Sequence, residues 1–382
     1  MRVTGLFSGI GGFEIGFEDQ GFHTDLLCEL DPAAVTVLKR RFPDTPLIKN
    51  VRELESLPPS DVVTAGFPCQ NLSLVGTNEG IFGKHSSLIE EVFRLVKGRP
   101  GPRWLLLENV PFMLRHKKGH AIRYVTEKLE DLGFRWAYRV VDTRAFGLPQ
   151  RRRRVFILAS RTDDPRDVLF ADQVPAPAFE KVDDVPSGFY WTEGRGGLGW
   201  AVNAVPTIKA GSGVGIPSPP AIWLPGEDRA VTPHVQDAER LQGFPAGWTA
   251  VEVEGKPVRA GVRWRMVGNA VSVPVASWLA SRLKTPGRFD HGLTREWTTS
   301  VWPHAAWGED REVYPVEISE WPVREHMIPL RDFLRFPEKE LSARATAGFL
   351  KRARSGSLNF VPGFLESLDM HLGRMSEAVA GD

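Results

Sequence analysis

Cys69 sits in the stretch Gly66-Phe67-Pro68-Cys69-Gln70, directly after the run Asp61-Val62-Val63-Thr64-Ala65. A lone cysteine is more often a small buried hydrophobe. A core cysteine needs no turn, however, and Gly66 and Pro68 build a stiff one. A thiol held on such a bend suits nucleophilic addition, because sulfur attacks well and leaves easily. Its ordinary pKa of about 8.5 would benefit from the N–H dipoles of the turn. Glu108 closes a second apolar run, Trp104-Leu105-Leu106-Leu107. A carboxyl sheltered there could donate a proton near neutral pH. Gln150-Arg151-Arg152-Arg153-Arg154 opens a third run. In strand geometry Gln150, Arg152 and Arg154 share one face, with Arg151 and Arg153 opposite. Finally, Phe7-Ser8-Gly9-Ile10-Gly11-Gly12 joins a strand to a helix, and Glu29 ends the next strand. Glycines let backbone approach a ligand, and a carboxylate there can accept from a ribose diol, which points to an adenosine-containing cofactor.

The elements that must position these groups follow from hydrophobic patterning. Strands are expected over 2–7, 23–29, 46–49, 61–65, 104–108, 136–141 and 155–160. Helices are expected near 12–20, 32–41, 87–97 and 121–132, the second capped by Asp31 with Pro32 at its first position. Alternation of the two predicts an α/β fold with a doubly wound, mostly parallel sheet, whose carboxyl edge carries the chemistry. Residues 161–225 are loop-like, rich in Pro, Gly and Asp. Helical patterns return at 233–242 and 275–283. The last stretch opens with Trp297, Trp302, Trp307 and Trp321 and ends in locally basic helical sequence. The expected division is a catalytic and cofactor-binding domain over 1–165, a recognition region over 166–257, a return segment over 258–287 and an extension over 288–382.

Composition narrows the class. With 42% hydrophobic and 25% charged residues in 382, the chain reads as an ordinary soluble protein of two or three domains. No run of about 18 apolar residues predicts a membrane span. The first residues enter a strand directly, with no signal-peptide pattern. Two cysteines offer no disulfide framework, as expected of a cytoplasmic protein. His116 and His120 lack the further partners a metal site needs, so no metal is expected. A net charge of +1 leaves any nucleic-acid surface to local basic patches.

Taken in order, FSGIGGF, Glu29, GFPCQ, ENV, QRRRRV, RLQGFP and GNAV resemble the C5-cytosine DNA methyltransferases. The resemblance covers roughly residues 1–285. It implies a Rossmann-like domain binding S-adenosyl-L-methionine, a smaller target-recognition domain, and double-stranded DNA between them, with the protein acting as a monomer. By position it implies cofactor contacts from Phe7, Gly9, Ile10, Gly11, Gly12, Glu29, Leu30, Asn50, Val51, Pro68, Leu88, Asn269 and Val271. It makes Cys69 the nucleophile, Glu108 the acid at N3, Arg152 and Arg154 the pocket arginines, and Gln150 a supporting residue. Three positions depart from the pattern. Gly5 and Asn50 stand where Asp is frequent, and His85 where Arg is common. None of these makes or breaks bonds.

The implied chemistry is coherent. Thiolate addition to C6 turns the C5 edge of cytosine into an enamine, and protonation at N3 offsets charge on the ring. The base must leave the stack, at a cost of a few kcal/mol. The glycine-punctuated segment 70–87 is expected to close over DNA, with Leu74 or Val75 filling the gap. Arg195 and Lys209 are candidate base contacts; Arg344, Lys351, Arg352 and Arg354 form a candidate phosphate face. The same motifs serve a transfer-RNA methyltransferase or a silent DNA-binding relative. A nicotinamide dehydrogenase would share the glycine loop but not the Pro-Cys-Gln turn. A partner restriction endonuclease, another defence role and a solitary methylase are equally compatible with the residues.

Overall fold

The computed structural model describes residues 1–68, 88–98, 101–178, 185–211 and 219–380. Cys69 and the segment 70–87, with Leu74, Val75 and His85, lie outside the described residues. The chain begins β1 (Arg2–Leu6), α1 (Gly12–Glu18), β2 (His23–Cys28), α2 (Pro32–Arg41), β3 (Leu47–Ile48), β4 (Val62–Gly66), α3 (Leu88–Val96), β5 (Trp104–Asn109), α4 (His120–Asp131) and β6 (Arg135–Asp142). It continues with β7 (Gln150–Arg151), β8 (Arg153–Ser160), α5 (Arg166–Leu169), β9 (Ser187–Phe189), β10 (Ala201–Val202), β11 (Val205–Pro206), β12 (Ala221–Leu224), β13 (Arg229–Thr232), α6 (Val235–Leu241), β14 (Glu252–Val253), β15 (Lys256–Pro257) and α7 (Ala260–Asn269). It closes with α8 (Val273–Lys284), β16 (Ala305–Glu309), β17 (Glu312–Pro315), α9 (Leu330–Phe333), β18 (Lys339–Glu340), α10 (Ala343–Arg354) and α11 (Phe364–Ala380).

Two compact units result. The first comprises Met1–Ala145, Arg153–Ala176 and Val271–Arg324. Its nine-stranded sheet runs β17-β16-β6-β8-β5-β4-β1-β2-β3. Strands β3 to β5 of that order pair in parallel, and the strands beyond β5 pair antiparallel. β1 lies between β2 and β4, so the chain winds outward in both directions from it. A crevice outside the carboxyl ends at such a reversal is where open α/β sheets bind ligands. β4 and β5 are buried on both faces, which their unbroken apolar runs require. Helix α1 backs onto α8 through Gly12 and Gly16: a Cβ on Gly12 would strike the Val271 carbonyl, and one on Gly16 would lie 2.7 Å from Ala276 Cβ. α2 starts as expected, with Asp31 accepting from the Ala33 and Ala34 N–H groups at 2.9 and 3.2 Å.

The second unit comprises Phe146–Arg152, Pro177–Ala270 and Glu325–Asp382. A five-stranded antiparallel sheet, β10-β9-β12-β13-β18, carries its core with Phe189, Trp223, Phe349, Phe364 and Leu368. Its strands are two to four residues long, too short for a period to show in loop-like sequence. The division differs from the expected one at the carboxyl side. Residues 288–324 add β16 and β17 to the large sheet, whereas 325–382 return to the second unit, where β18 pairs with β13. The stretch 288–382 is therefore two pieces of two cores, not an extension of its own.

Candidate active site

β1, β2, β4 and β5 all deliver their last residues to the same sheet edge. Phe7 leaves β1 at φ 57, followed by Gly9 at φ 57 and Gly11 at φ 89. The turn bends back to Glu29. Its Oε2 accepts from the Gly9 N–H at 2.8 Å and its Oε1 from the Asp31 N–H at 2.8 Å. Burial pushes the Glu29 carboxyl above its ordinary pKa, against the pull of those N–H donors. A carboxylate has about four acceptor sites, so two donors do not exhaust it. Next to it Leu30 leaves a large apolar side chain 67% exposed. Nothing among the described residues lies within 4 Å of the place a Cβ on Gly9 would take. An open glycine cradle, an acid at its rim and an exposed aliphatic face match the needs of an adenosine-type cofactor.

The other cofactor candidates divide by surroundings. Gly11 faces the Phe42 ring, 2.6 Å from where its Cβ would be. Ile10 and Val51 are buried in the core, which leaves only their backbone to face a ligand. Gly12 and Val271 meet at the α1–α8 contact. Asn50 spends an acceptor on the Arg52 N–H at 3.1 Å, capping a 3-10 turn. Pro68 is exposed, and Leu88, at the start of α3, is half-buried. Asn269 is exposed at the end of α7, in the second unit. Gly5 has a physical reason to lack a side chain: the Glu14 carboxylate fills that space.

Gly66 ends β4 directly opposite Glu108 in the β4–β5 ladder. The chain thus leaves β4 beside the acid, three residues before Cys69. Glu108 is 8% exposed. Its Oε1 lies 3.0 Å from Arg154 Nε, at the start of β8. Asn109 was quoted in the sequence motif without a role, and the structure supplies one. Its amide donates to the Phe67 carbonyl at 3.1 Å, and its oxygen accepts the Val110 N–H at 2.8 Å. It ties down the backbone that follows β4, two residues before Cys69.

The arginine run departs from the expectation. It is not one strand. The Arg152 N–H bonds to the Gln150 carbonyl at 2.9 Å, which breaks the chain into β7 and β8 and ends the two-residue period. Gln150 and Arg152 belong to the second unit, and both are fully buried there. Gln150 donates to the Leu241 carbonyl at 2.8 Å and accepts the Ile208 N–H at 3.1 Å. Arg152 donates to the carbonyls of Ile208, Gly268 and Ala270, at 3.3, 3.2 and 2.6 Å. Its guanidinium serves the end of α7, where a cation also meets the helix dipole. Of the two expected pocket arginines, Arg154 pairs with Glu108. RLQGFP serves the same end of α7, with Gln242 donating to the Val267 carbonyl at 2.9 Å. Lys209 pairs with Glu193 and stands 3.6 Å over the Tyr190 ring, while Arg195 is exposed. Among the described residues there is no group of three or more His, Cys, Asp or Glu that could hold a metal ion.

Known proteins resemble this chain in sequence and in fold. The family described as C-5 cytosine-specific DNA methylase matches residues 1–209. The chain is 47% identical over 379 residues to Type II methyltransferase M2.BsuMI of Bacillus subtilis, with 97% of each covered. It is 26% identical over 320 residues to Type II methyltransferase M.Bsp6I of a Bacillus species, covering 74% of this chain and 98% of that one. The S. pombe Dnmt2 methyltransferase structure is similar in fold, with a TM-score of 0.53, 15% identity, and 74% and 98% of the two chains covered. With more than half its length matched by that family, the chain belongs to the C-5 cytosine-specific DNA methylases.

Proposed function

We propose that the chain methylates C5 of cytosine in double-stranded DNA, with Cys69 as the nucleophile at C6. The observation that carries this reading is the Glu108–Arg154 pair, at 3.0 Å, on the sheet edge where β4 ends at Gly66, three residues before Cys69 in sequence. Arg154 orients the Glu108 carboxyl, which hydrogen-bonds N3 and offsets the charge that thiolate addition places on the ring. Asn109 holds the Phe67 carbonyl and, through it, the approach of the thiol. Phe7, Gly9, Gly11 and Glu29 would hold S-adenosyl-L-methionine, with the exposed Leu30 side chain offering an apolar face beside them. When bound, that cofactor would supply an electrophilic methyl group for C5, made nucleophilic by Cys69 addition at C6; loss of the C5 proton to a base then expels the thiolate. The names of the relatives favour work in a Type II restriction-modification pair, with the second unit reading the sequence.

The test is transfer of a labelled methyl group to duplex DNA, together with covalent trapping on DNA containing 5-fluorocytosine. The unmodified chain forms a denaturant-resistant adduct and Cys69→Ala forms none. Full activity in Cys69→Ala would end this reading. Labelling of transfer RNA in preference to duplex DNA would move the substrate to RNA.

A further inference from the structure

The candidate phosphate face on α10 is largely committed elsewhere. Arg352 donates to the carbonyls of Glu193 and Trp191 at 3.0 and 2.7 Å, and Arg354 pairs with Asp369. A different cationic stretch stands in the first unit, in the connection from β5 to α4. Arg115-His116-Lys117-Lys118-Gly119-His120 begins seven residues after Glu108. Two 3-10 turns, Pro111–Leu114 and His116–Gly119, build the connection. Arg115, Lys117, Lys118 and His120 are all exposed. Among the described residues Arg115, Lys118 and His120 pair with no carboxylate, while Glu130 and Asp131 of α4 are taken by Arg311.

The backbone adds a second observation. Lys117 and Lys118 adopt φ/ψ of 46/47 and 58/35, two successive left-handed residues that carry side chains. Glycine would hold this turn without strain, and the exposed lysines gain no burial in return. Strain of this kind persists where a function depends on the side chain. Phe112, just upstream, is 59% exposed, with its ring 5.0 Å from that of His116. Crowded cations beside an exposed aromatic repel one another unless an anion lies between them, and a polyanion with flat bases meets both features. Reach is sufficient. At about 2 Å per residue in 3-10 geometry Arg115 stays within roughly 14 Å of Glu108 and Lys118 within roughly 20 Å. A duplex strand carries a phosphate about every 3.4 Å along its axis.

We propose that the 115–120 turn grips the duplex-DNA phosphates flanking the cytosine held at Glu108. This rests on the reading of the chain as a DNA cytosine methyltransferase. It is tested by replacing Arg115, Lys117 and Lys118 together with Gln and measuring duplex affinity across a salt series. Each phosphate contact contributes about 0.9 to the slope of log K against log salt. The slope of the triple variant is expected to fall by about 2–3. The loss should weigh on the KM for DNA more than on kcat, and Lys117→Arg with Lys118→Arg should restore the slope. If the triple variant fails to fold, Lys118→Gln alone should lower the slope by about 0.9. An unchanged slope in a folded variant overturns the proposal, as does a change seen with transfer RNA and not with duplex DNA. Methyl transfer by the unmodified chain separates the two readings. If transfer occurs and the slopes coincide, only the phosphate site falls; if no transfer to DNA occurs, both fall.

Discussion

The Asn109 side-chain amide donates to the Phe67 carbonyl at 3.1 Å and so ties the end of β5 to the backbone that leaves β4. Both residues are buried, so Asn109→Ala leaves an unmet carbonyl, which costs about 1–3 kcal/mol. The variant should stay folded with a lower melting temperature. Its kcat should fall by roughly ten-fold or more, since about 1.4 kcal/mol at the transition state is ten-fold in rate. Steady-state kinetics beside a thermal melt decide this; a normal kcat would remove Asn109 from the site.

Glu108 and Arg154 should behave as a unit. Glu108→Gln keeps the shape and loses the carboxyl, so single-turnover methyl transfer should slow by about 10²–10⁴-fold, the usual range for a general acid. Arg154→Ala leaves Glu108 without its cation in a sheltered place, a change that costs about 3–5 kcal/mol for buried pairs. The double variant should then lose less than the sum of the single losses. Strictly additive losses in a double-mutant cycle would mean the two act apart.

Glu14 makes stability fall with rising pH. Both its carboxylate oxygens are buried with no hydrogen-bond partner among the described residues, and burial pushes its pKa up to about 7. The folded chain therefore holds a proton that the unfolded chain has already lost between the ordinary carboxylate value and about 7. Glu14 contributes its full stability below that window, and on the order of 3 kcal/mol is lost across it. Urea melts at pH 5 and pH 8 should show this decline. Glu14→Gln should flatten it and be the more stable protein at pH 8.

Two glycines of one turn should separate cofactor holding from folding. At Gly12 a methyl group meets the Val271 carbonyl, so Gly12→Ala should force α1 from α8 and lower the melting temperature. At Gly9 the space is open and only the left-handed φ of 57 resists, at about 1–2 kcal/mol. Gly9→Ala should therefore mainly raise the Kd for S-adenosyl-L-methionine. Calorimetric titration of both variants tests the contrast, and equal affinities would place the cofactor elsewhere.

Much of the first unit was legible because its strands are long apolar runs and the candidate site residues stand at their ends. Glu108, Glu29 and the glycine turn needed only that rule. The period expected over 150–154 failed because alternation assumes an unbroken strand, and one N–H bond from Arg152 to the Gln150 carbonyl breaks it. Asn109 drew no attention because an amide acting on a neighbouring backbone leaves no spacing signature. The second unit was opaque for another reason. β12 gains its partner β9 from across a loop-rich stretch, and β13 gains β18 from far along the chain.

That last pairing bears on how the protein is made. The Trp223 indole donates to Ser367 Oγ, which lies 144 positions later, and Phe364 completes the aromatic cluster around Trp223 and Phe189. During synthesis the early strands of this unit must wait, half-assembled and sticky, until almost the whole chain has left the ribosome. A nonsense codon anywhere before α11 would thus yield no shorter enzyme with relaxed specificity, but a product fit for proteolysis.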